Sequence, residues 1–419
     1  LIEIEGTNKL DVHYYLTPTT KQNFSFEPKA TNSNGFLGVS ASANYNNRNL
    51  FRGAENLTVT LSGGLESQPA IFDKTLDGES VKSSARSFNT FEFEPGVKLT
   101  LPGLFPIRST KNLAKRTRAQ TIIATAYNFQ NRNDFNRKSF QLSYLWKFYG
   151  GGETQVFQVG FPLLSTIKYV NFDPSVEFAN RLANLNDNFL LSTYSDQFIW
   201  QDIKITYEYN TLLKKDKRPN TGNVVYKVSF DPAGNFISLF KNTQGFNDLG
   251  QRTIFGLGYS QFVRLDNDII VAQPLGKKKS LNMRFQLGAG IPYGNSFTSL
   301  PYDYGFFGGG ANDNRGWRSR ALGPGGYKYY LDQLRTLTQI ADVRLAGSVE
   351  FRFDLGGYFK AAAFSDFGNI WTWKEDINRP GSKFSGDFYK QIAVSGGVGL
   401  RVDLDFFVVR LDLGIPLSN

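Results

Sequence analysis

Apolar and polar side chains alternate along most of this chain, and that alternation leaves few folds open to it. In "NLTVTLSGGLES", starting at Asn56, the residues Leu57, Val59, Leu61 and Leu65 fall on one face, and Thr58, Thr60, Ser62 and Glu66 fall on the other. "DVRLAGSVEFRFDL" does the same over a longer span. Val343, Leu345, Val349, Phe351, Phe353 and Leu355 share one face, opposite Asp342, Arg344, Ser348, Glu350, Arg352 and Asp354. Successive strand side chains point to opposite sides, so these stretches read as two-faced strands. Fifteen are predicted, at 21–30, 35–46, 55–66, 88–101, 118–130, 135–147, 153–172, 197–212, 222–232, 258–274, 278–291, 342–355, 359–373, 391–404 and 406–416. Turn signals such as "NNRN", "NRND", "KKDKRPNTG" and "DPAG" separate them.

Many of these strands reach the roughly 9–11 residues that a tilted strand needs to cross a bilayer. Strands of globular proteins are usually nearer about 5–6 residues. With 38 Phe, 20 Tyr and 41 Gly in 419 residues, the composition also favours β structure. No stretch approaches the roughly 18 apolar residues of a membrane-spanning helix, and the mean hydropathy is −0.32. A transmembrane strand hides its apolar face inside a polar average, so this value is compatible with a membrane protein. The reading is an all-β, transmembrane antiparallel β-barrel, whose closure satisfies every backbone group without water. A soluble sandwich or lipocalin-like barrel is the alternative from pattern alone. A propeller would repeat near every ~40 residues, and no such repeat is present.

The remaining segments bound the function. "SVEFANRLANLNDNFLLSTYSDQF" (175–198) spaces Phe178, Leu182, Leu185 and Phe189 as a helix would, and is predicted as a surface helix in an outside loop. Residues 1–20 hold short alternating pieces ending near Pro18 and look like the tail of a separate small domain, with 21–419 forming the barrel. The net charge is +10, but the basic residues are scattered except for "RSTKNLAKRTR" (Arg108 to Arg118), which reads as a solvated loop; no nucleic-acid partner is expected. The chain has no Cys, which excludes a disulfide framework and Cys-based metal sites. The single histidine, His13, precedes the barrel, so no Ser-His-Asp triad can form inside it. Glu92 and Glu94 alternate with Phe91 and Phe93 and read as lining of the lumen. No enzyme activity, cofactor or metal is expected.

One stretch, "GGGANDNRGWRSRALGPGGY" (Gly308 to Tyr327), resembles neither strand nor helix. Its glycines, at 308–310, 316, 323, 325 and 326, allow tight bends and close approach to a wall. Trp317 offers a large rigid contact. Strand parity places Glu350 opposite Phe351 and Phe353, and Asp366 opposite Phe367, so both acids face inward. A guanidinium fork matches carboxylate geometry and stays charged. No Gly-Lys-Ser/Thr follows, which removes the phosphate-cradle reading; an unattached glycine loop stays open.

"NDNRGWRSRALGPGGY" resembles the inward-folding loop motif of the BamA/TamA-type outer-membrane insertase superfamily: Arg315, Gly316 and Trp317, then Gly323 and Pro324. "GSVEFRFDL" and "AAFSDFGNIW" resemble the strands that follow it, "GVGLRVDLDFFVVRLDLGIPL" the penultimate hairpin, and "NNRNLFRGAENLTVTLSGGLE" the second-to-third strand connection. "NRNLFRGAE", "NDNRGW" and "SDFGNIWTW" are most similar to the TamA-like TamL branch of Bacteroidota-type bacteria. The resemblance covers nearly the whole chain. It implies a lumen loop locked by Arg315 to Glu350 and Asp366, and a barrel of sixteen strands, of which the last would follow "GIPLSN". It makes residues 1–20 the tail of a periplasmic polypeptide-transport-associated domain. It implies outer-membrane lipid, client outer-membrane proteins and a periplasm-spanning protein as partners. The implied work is assembly or translocation of clients through a lateral seam; a passive pore or a two-partner secretion transporter is the alternative. Pro28, in the first strand, cannot donate a ladder hydrogen bond and fits a weak seam.

Overall fold

The computed structural model describes residues 2–3, 10–11, 19–33, 36–67, 88–107, 117–185, 188–214, 221–240, 245–247, 250–296, 299–328, 339–404 and 408–418. Its dominant element is one antiparallel sheet of seventeen strand segments. Two passes are each split in two by a short detour, so the segments make fifteen passes. They are β1 (Gln22–Ser33), β2 (Phe36–Arg48), β3 (Asn56–Glu66), β4 (Thr90–Pro102), β5 (Gln120–Arg132), β6 (Phe135–Gly150) and β7 (Gln155–Gly160 with Thr166–Pro174). Next come β8 (Gln197–Gln201 with Ile205–Asn210), β9 (Asn223–Ala233), β10 (Phe262–Pro274) and β11 (Lys279–Pro292). The last four are β12 (Val343–Gly356), β13 (Phe359–Trp371), β14 (Ala393–Asp403) and β15 (Val408–Ser418). Both halves of β7 pair with β6, and both halves of β8 pair with β9. These passes coincide with the fifteen alternating stretches, with boundaries moved by a few residues.

Each strand pairs with its neighbour in sequence. This is the low-cost topology for strands joined by turns as short as the two residues between β5 and β6. Ladder hydrogen bonds therefore satisfy the backbone from β2 to β14 on both edges. β15 follows β14 and comes next to β1 in the order of the sheet. Among the described residues, however, no residue-by-residue register joins β15 to β1, whereas β1 is matched to β2 from Gln22↔Asn47 to Ser33↔Phe36. Both strands are also the most open: Phe24 is 69% exposed and Leu413 65%. Pro28 sits inside β1, opposite Ala41.

The sheet is curved. One connection, between β11 and β12, touches β6 and β7 through Asp303 and β12, β13 and β15 through Arg315. No flat sheet could present those strands to one loop. The concave face carries the polar residues of each alternation, and the convex face carries exposed apolar ones such as Leu61, Phe93, Phe140, Leu265 and Val349. The largest buried cluster lies between that connection and the concave face. It joins Leu300, Phe306 and Ala341 to Ile199, Ala233, Phe262 and Ile370.

The segment after β7 forms two short helices, Val176–Leu185 and Asn188–Thr193, and the chain is already a strand by Gln197. Phe178 and Leu182 are buried against Phe135, with Phe172 and Tyr194 packed on them, so that face caps the projecting ends of β6 and β7. The side chains of Leu185 and Phe189 lie outside the described residues. So do Arg108 to Arg116 of the basic cluster and most of residues 1–18; Ile2–Glu3 and Leu10–Asp11 form a two-residue antiparallel ladder.

Candidate functional site

The site grows from the period of two. On β12, Ser348, Glu350 and Arg352 point to the concave face; on β13, Phe364 and Asp366 do; on β14, Arg401; on β15, Arg410 and Asp412. Register sets Ser348 opposite Asp366, Glu350 opposite Phe364 and Arg401 opposite Arg410. Four neighbouring strands thus bring their polar side chains to one patch, and Arg315 of the β11–β12 connection reaches into it.

Arg315 is held at every donor group. Its Nε and Nη2 donate to the two oxygens of Asp366 at 2.8 Å each, a two-pronged pair. Nη1 donates to Glu350 Oε2 at 2.7 Å and to Asp412 Oδ2 at 3.2 Å. Nη2 also meets Ser348 Oγ at 3.2 Å, and the backbone N–H of Arg315 donates to Asp366 Oδ2 at 3.0 Å. The guanidinium carbon lies 3.3 Å from the centroid of the Phe364 ring, a stacked cation–π arrangement. Ser348 donates to Asp366 at 2.7 Å, and Arg401 and Arg352 donate to Glu350 Oε1 at 2.7 and 2.5 Å. Arg410 pairs with Asp412 at 3.2 Å. Four guanidiniums face three carboxylates, so the patch is close to charge balance. Asp366 is 0% exposed. A charge buried this deeply is tolerated only with this many partners. Burial works against the Arg315 charge, but the hydrogen bonds and charges of Asp366 and Glu350 outweigh it, and its pKa is raised above the ordinary value.

The neighbouring loop residues are fitted to the wall. Gly316 lies so close to β14 and β15 that a Cβ would fall 2.6 Å from Ser395 Cβ and 3.2 Å from the Pro416 nitrogen. Asn314 is buried, accepting from Ser395 Oγ at 2.7 Å and donating to the Ala393 carbonyl at 3.3 Å. Gly323 has φ +80°, and a Cβ there would strike Asn369 and Ile370. Pro324 follows it, and the Gly325 N–H donates to the Ile370 carbonyl at 2.7 Å. Trp317 is half-buried and closes a turn, its N–H donating to Asn314 O at 3.2 Å and its carbonyl accepting from Gly310 at 3.0 Å.

A family model for the Omp85 superfamily domain matches residues 19–419. The chain belongs to the Omp85 superfamily. It is therefore an outer-membrane β-barrel protein, in a superfamily whose general work is protein insertion or secretion at that membrane. Among solved structures, this Omp85 chain is similar to BamA from Haemophilus ducreyi lacking POTRA domains 1-3, with a TM-score of 0.61 and 12% identity over 96% of this chain and 68% of that one. It is also similar to CdiB from Acinetobacter baumannii, with a TM-score of 0.51 and 10% identity over 95% of this chain and 57% of that one. CdiB from Escherichia coli gives the same TM-score and identity over 96% and 60%. At these identities the likeness concerns the fold. No curated protein sequence matches the chain.

The structure brings Arg315, Glu350 and Asp366 into direct contact and seats Gly316 and Gly323 against the wall. Sequence reading missed Asp412, Ser348, Phe364 and the flanking Arg352, Arg401 and Arg410. Their signal was present: "VVRLDL" alternates Arg410 and Asp412 with Leu411 and Leu413, as "SVEFRF" does its acids and bases. It missed a second clasp altogether. Asp303 accepts from Arg137 on β6 at 2.6 Å and pairs with Lys168 on β7 at 2.8 Å. Burial pushes its carboxyl up, but the two cations outweigh it and hold it below the usual carboxylate range. This clasp borders a polar cavity of about 300 Å³ that Glu92 and Glu94 help to line.

Proposed function

We propose that this chain is the barrel of an outer-membrane assembly or translocation factor, in which the β11–β12 connection fills the lumen and Arg315 locks it there. The clasp of Arg315 with Glu350, Asp366 and Asp412 carries the reading. A wall that sets three acids, two of them buried, around one loop guanidinium is built to fix a loop, and a simple pore has no use for the cost of that burial. The working edge is the seam. The side chains of β1 and β15 stand open, and β1 contains a proline. In a bilayer, unpaired backbone is costly, so a client strand gains by pairing at such an edge. The work proposed is physical: strand templating and passage, with no covalent step. A full barrel of sixteen strands would place one more strand at this seam. The motifs around Arg48–Glu55, Asn312–Trp317 and Ser365–Trp373 favour the TamA-like TamL branch, with a periplasm-spanning partner protein and residues 1–20 as the tail of a periplasmic domain.

The test uses the chain in its full protein, reconstituted in proteoliposomes. A photo-crosslinking residue at Phe24 in β1 is expected to capture a client outer-membrane protein during its insertion, and the same residue at Phe140 on β6 is not. Arg315→Ala is expected to reduce client insertion and to raise bilayer conductance. A wide, steady conductance that Arg315→Ala leaves unchanged, with no capture at β1, would establish a passive pore instead.

A further inference from the structure

The connection between β9 and β10 does something that neither the clasp nor the seam requires: it clads the outside of the barrel. It begins at Gly234, where β9 ends. β6 and β7 continue past that level, from Ser143↔Thr166 up to Phe135↔Pro174, with β8 alongside as far as Gln197. Lys168 and Ile199 are paired and face the concave side, so Ile167, Phe198 and Trp200 face outward. Ile237 and Tyr259 of the connection are buried on that outward face, against Phe198. A helical turn at Asn235–Ser238 is fixed there by Asp202, which accepts from the N–H groups of Asn235 and Phe236 at 2.9 Å each.

Among the described residues the outer surface of this cladding is largely apolar, with the Arg252 guanidinium lying over the Phe246 ring at 5.1 Å. Phe255 is 84% exposed, Leu239 77%, Phe246 65% and Phe240 51%, with Leu163 beside them at 49%. Rings join along it: Phe255 to Phe198, Phe198 to Trp200, Trp200 to Phe236 and Phe236 to Phe240. Trp200 also donates its indole N–H to the Leu163 carbonyl at 2.6 Å, so its one polar atom is satisfied without water. A contiguous exposed apolar patch marks an interaction surface.

We propose that this shelf is seated in the outer leaflet of the membrane, with lipid acyl chains as its occupant. Two observations select lipid. The shelf is continuous with the convex apolar face below it, where Phe157 packs at a tilt against Tyr207, and Phe230 and Ile205 are exposed. Its height also fits. β9 has 11 residues, which at about 3.3 Å each and about 40° of tilt spans about 28 Å, close to the ~25 Å apolar band of such barrels. The end of β9 therefore lies at the outer interface, and Leu239 and Phe240 follow it directly. β8 is about as far from β1 as from β15, so the shelf anchors the barrel opposite the seam. An anchor there leaves the seam side as the part of the wall free to move in the bilayer.

The inference rests on the reading of the barrel as membrane-spanning, and the experiment separates the two. Residues 1–419 contain no cysteine, so Leu239→Cys, Phe255→Cys, Phe230→Cys and Ile377→Cys each add one labelling site to this region of the full-length protein, in which any cysteine elsewhere is first replaced by serine. Each is labelled with an environment-sensitive fluorophore in phosphatidylcholine vesicles carrying nitroxide lipids. Phe230 is the lipid-facing reference on β9, and Ile377, 95% exposed in the β13–β14 connection, is the aqueous one. For Leu239 and Phe255, about half of the emission is expected to be lost to shallow nitroxide, as for a side chain about 5–10 Å into the headgroup–acyl boundary, with little loss to aqueous iodide. If both are quenched by iodide as Ile377 is, while Phe230 is quenched by lipid, the shelf proposal fails and the membrane barrel stands. Protection from both quenchers in the presence of another protein would likewise overturn it, in favour of a protein partner. Loss of lipid quenching at Phe230 overturns the membrane reading itself.

Discussion

Of the contacts that hold the β11–β12 connection to the wall, the clasps at Asp303 and at Arg315 are built differently. At Asp303 a single carboxylate bridges Arg137 and Lys168 beside the polar cavity of about 300 Å³, with its side chain 18% exposed. At Arg315 a guanidinium uses its whole donor fork against three carboxylates and a serine, under an aromatic ring, with Asp366 fully buried. Lysine and arginine around one acid make a point-charge contact that tolerates small displacements. A filled fork fixes position and rotation together. The comparison teaches that one end of the loop is fastened for geometry and the other is tethered. The proposed lock therefore resides at Arg315, and the Asp303 clasp steadies the approach to it.

That contrast can be broken most forcefully at Arg315. Arg315→Ala leaves the fully buried Asp366 without its cationic partner and is expected to cost about 3–5 kcal/mol. It should be read as lost heat-modifiability of the folded barrel and faster hydrogen exchange over 308–327. Wild-type behaviour in both would dissolve the difference between the two ends. Next, Glu350→Gln with Asp366→Asn is expected to match Arg315→Ala, and the triple variant to add nothing, because the three share one network. Clear additivity in denaturant midpoints would contradict a single clasp. Asp412→Asn, which weakens the 3.2 Å contacts with Arg315 and Arg410 but leaves the two-pronged Asp366 pair in place, should cost less than Asp366→Asn.

Smaller effects sharpen the comparison. Gly316→Ala puts a Cβ against Ser395 and the Pro416 backbone, at a cost of about 1–3 kcal/mol. Exchange over β15 should rise with it; an unaffected β15 would mean that the wall yields. Asp303→Asn is expected to cost about 1–2 kcal/mol and to free residues 299–306 while leaving protection at 312–317 intact. Coupled loss at both segments would make the two clasps one. The mildest perturbation is pH. Asp303 is held below the ordinary carboxylate range, so its contribution is present above about pH 4 and is lost as pH falls through its lower folded value. Asp342, just ahead of β12, behaves oppositely. Burial pushes it up to about 6 while the Trp373 and Leu300 N–H groups partly offset this. Its acid form suits the fold, so that contribution is greatest below about pH 4 and is lost as pH rises through about 6. Melting curves of Asp342→Asn between pH 5 and 8 should be flatter than those of the wild type.

Much of this was legible in the chain. Period-two alternation is written locally, so the fifteen passes, their inward and outward faces, and the inward aim of Glu350 and Asp366 follow from "SVEFRF" and "AFSDF" without coordinates. Even the helical segment after β7 was visible, although its apolar face proved to cap β6 rather than to lie free, because nothing in 175–198 names Phe135 as its cover. The second clasp was not legible. Asp303, Arg137 and Lys168 are each ordinary charged residues in their own segments, more than a hundred positions apart in the case of Asp303 and its partners.

What the sequence determined by itself was the sheet: strand length, alternation and short turns force an antiparallel meander with one polar and one apolar face. What only the tertiary structure decided was which distant groups meet. Asp412 lies 97 residues from Arg315 yet touches it, and the β9–β10 connection lies against the outside of β8. Side-chain direction is fixed by the local backbone, whereas contact across a curved sheet depends on register and curvature summed over every strand between.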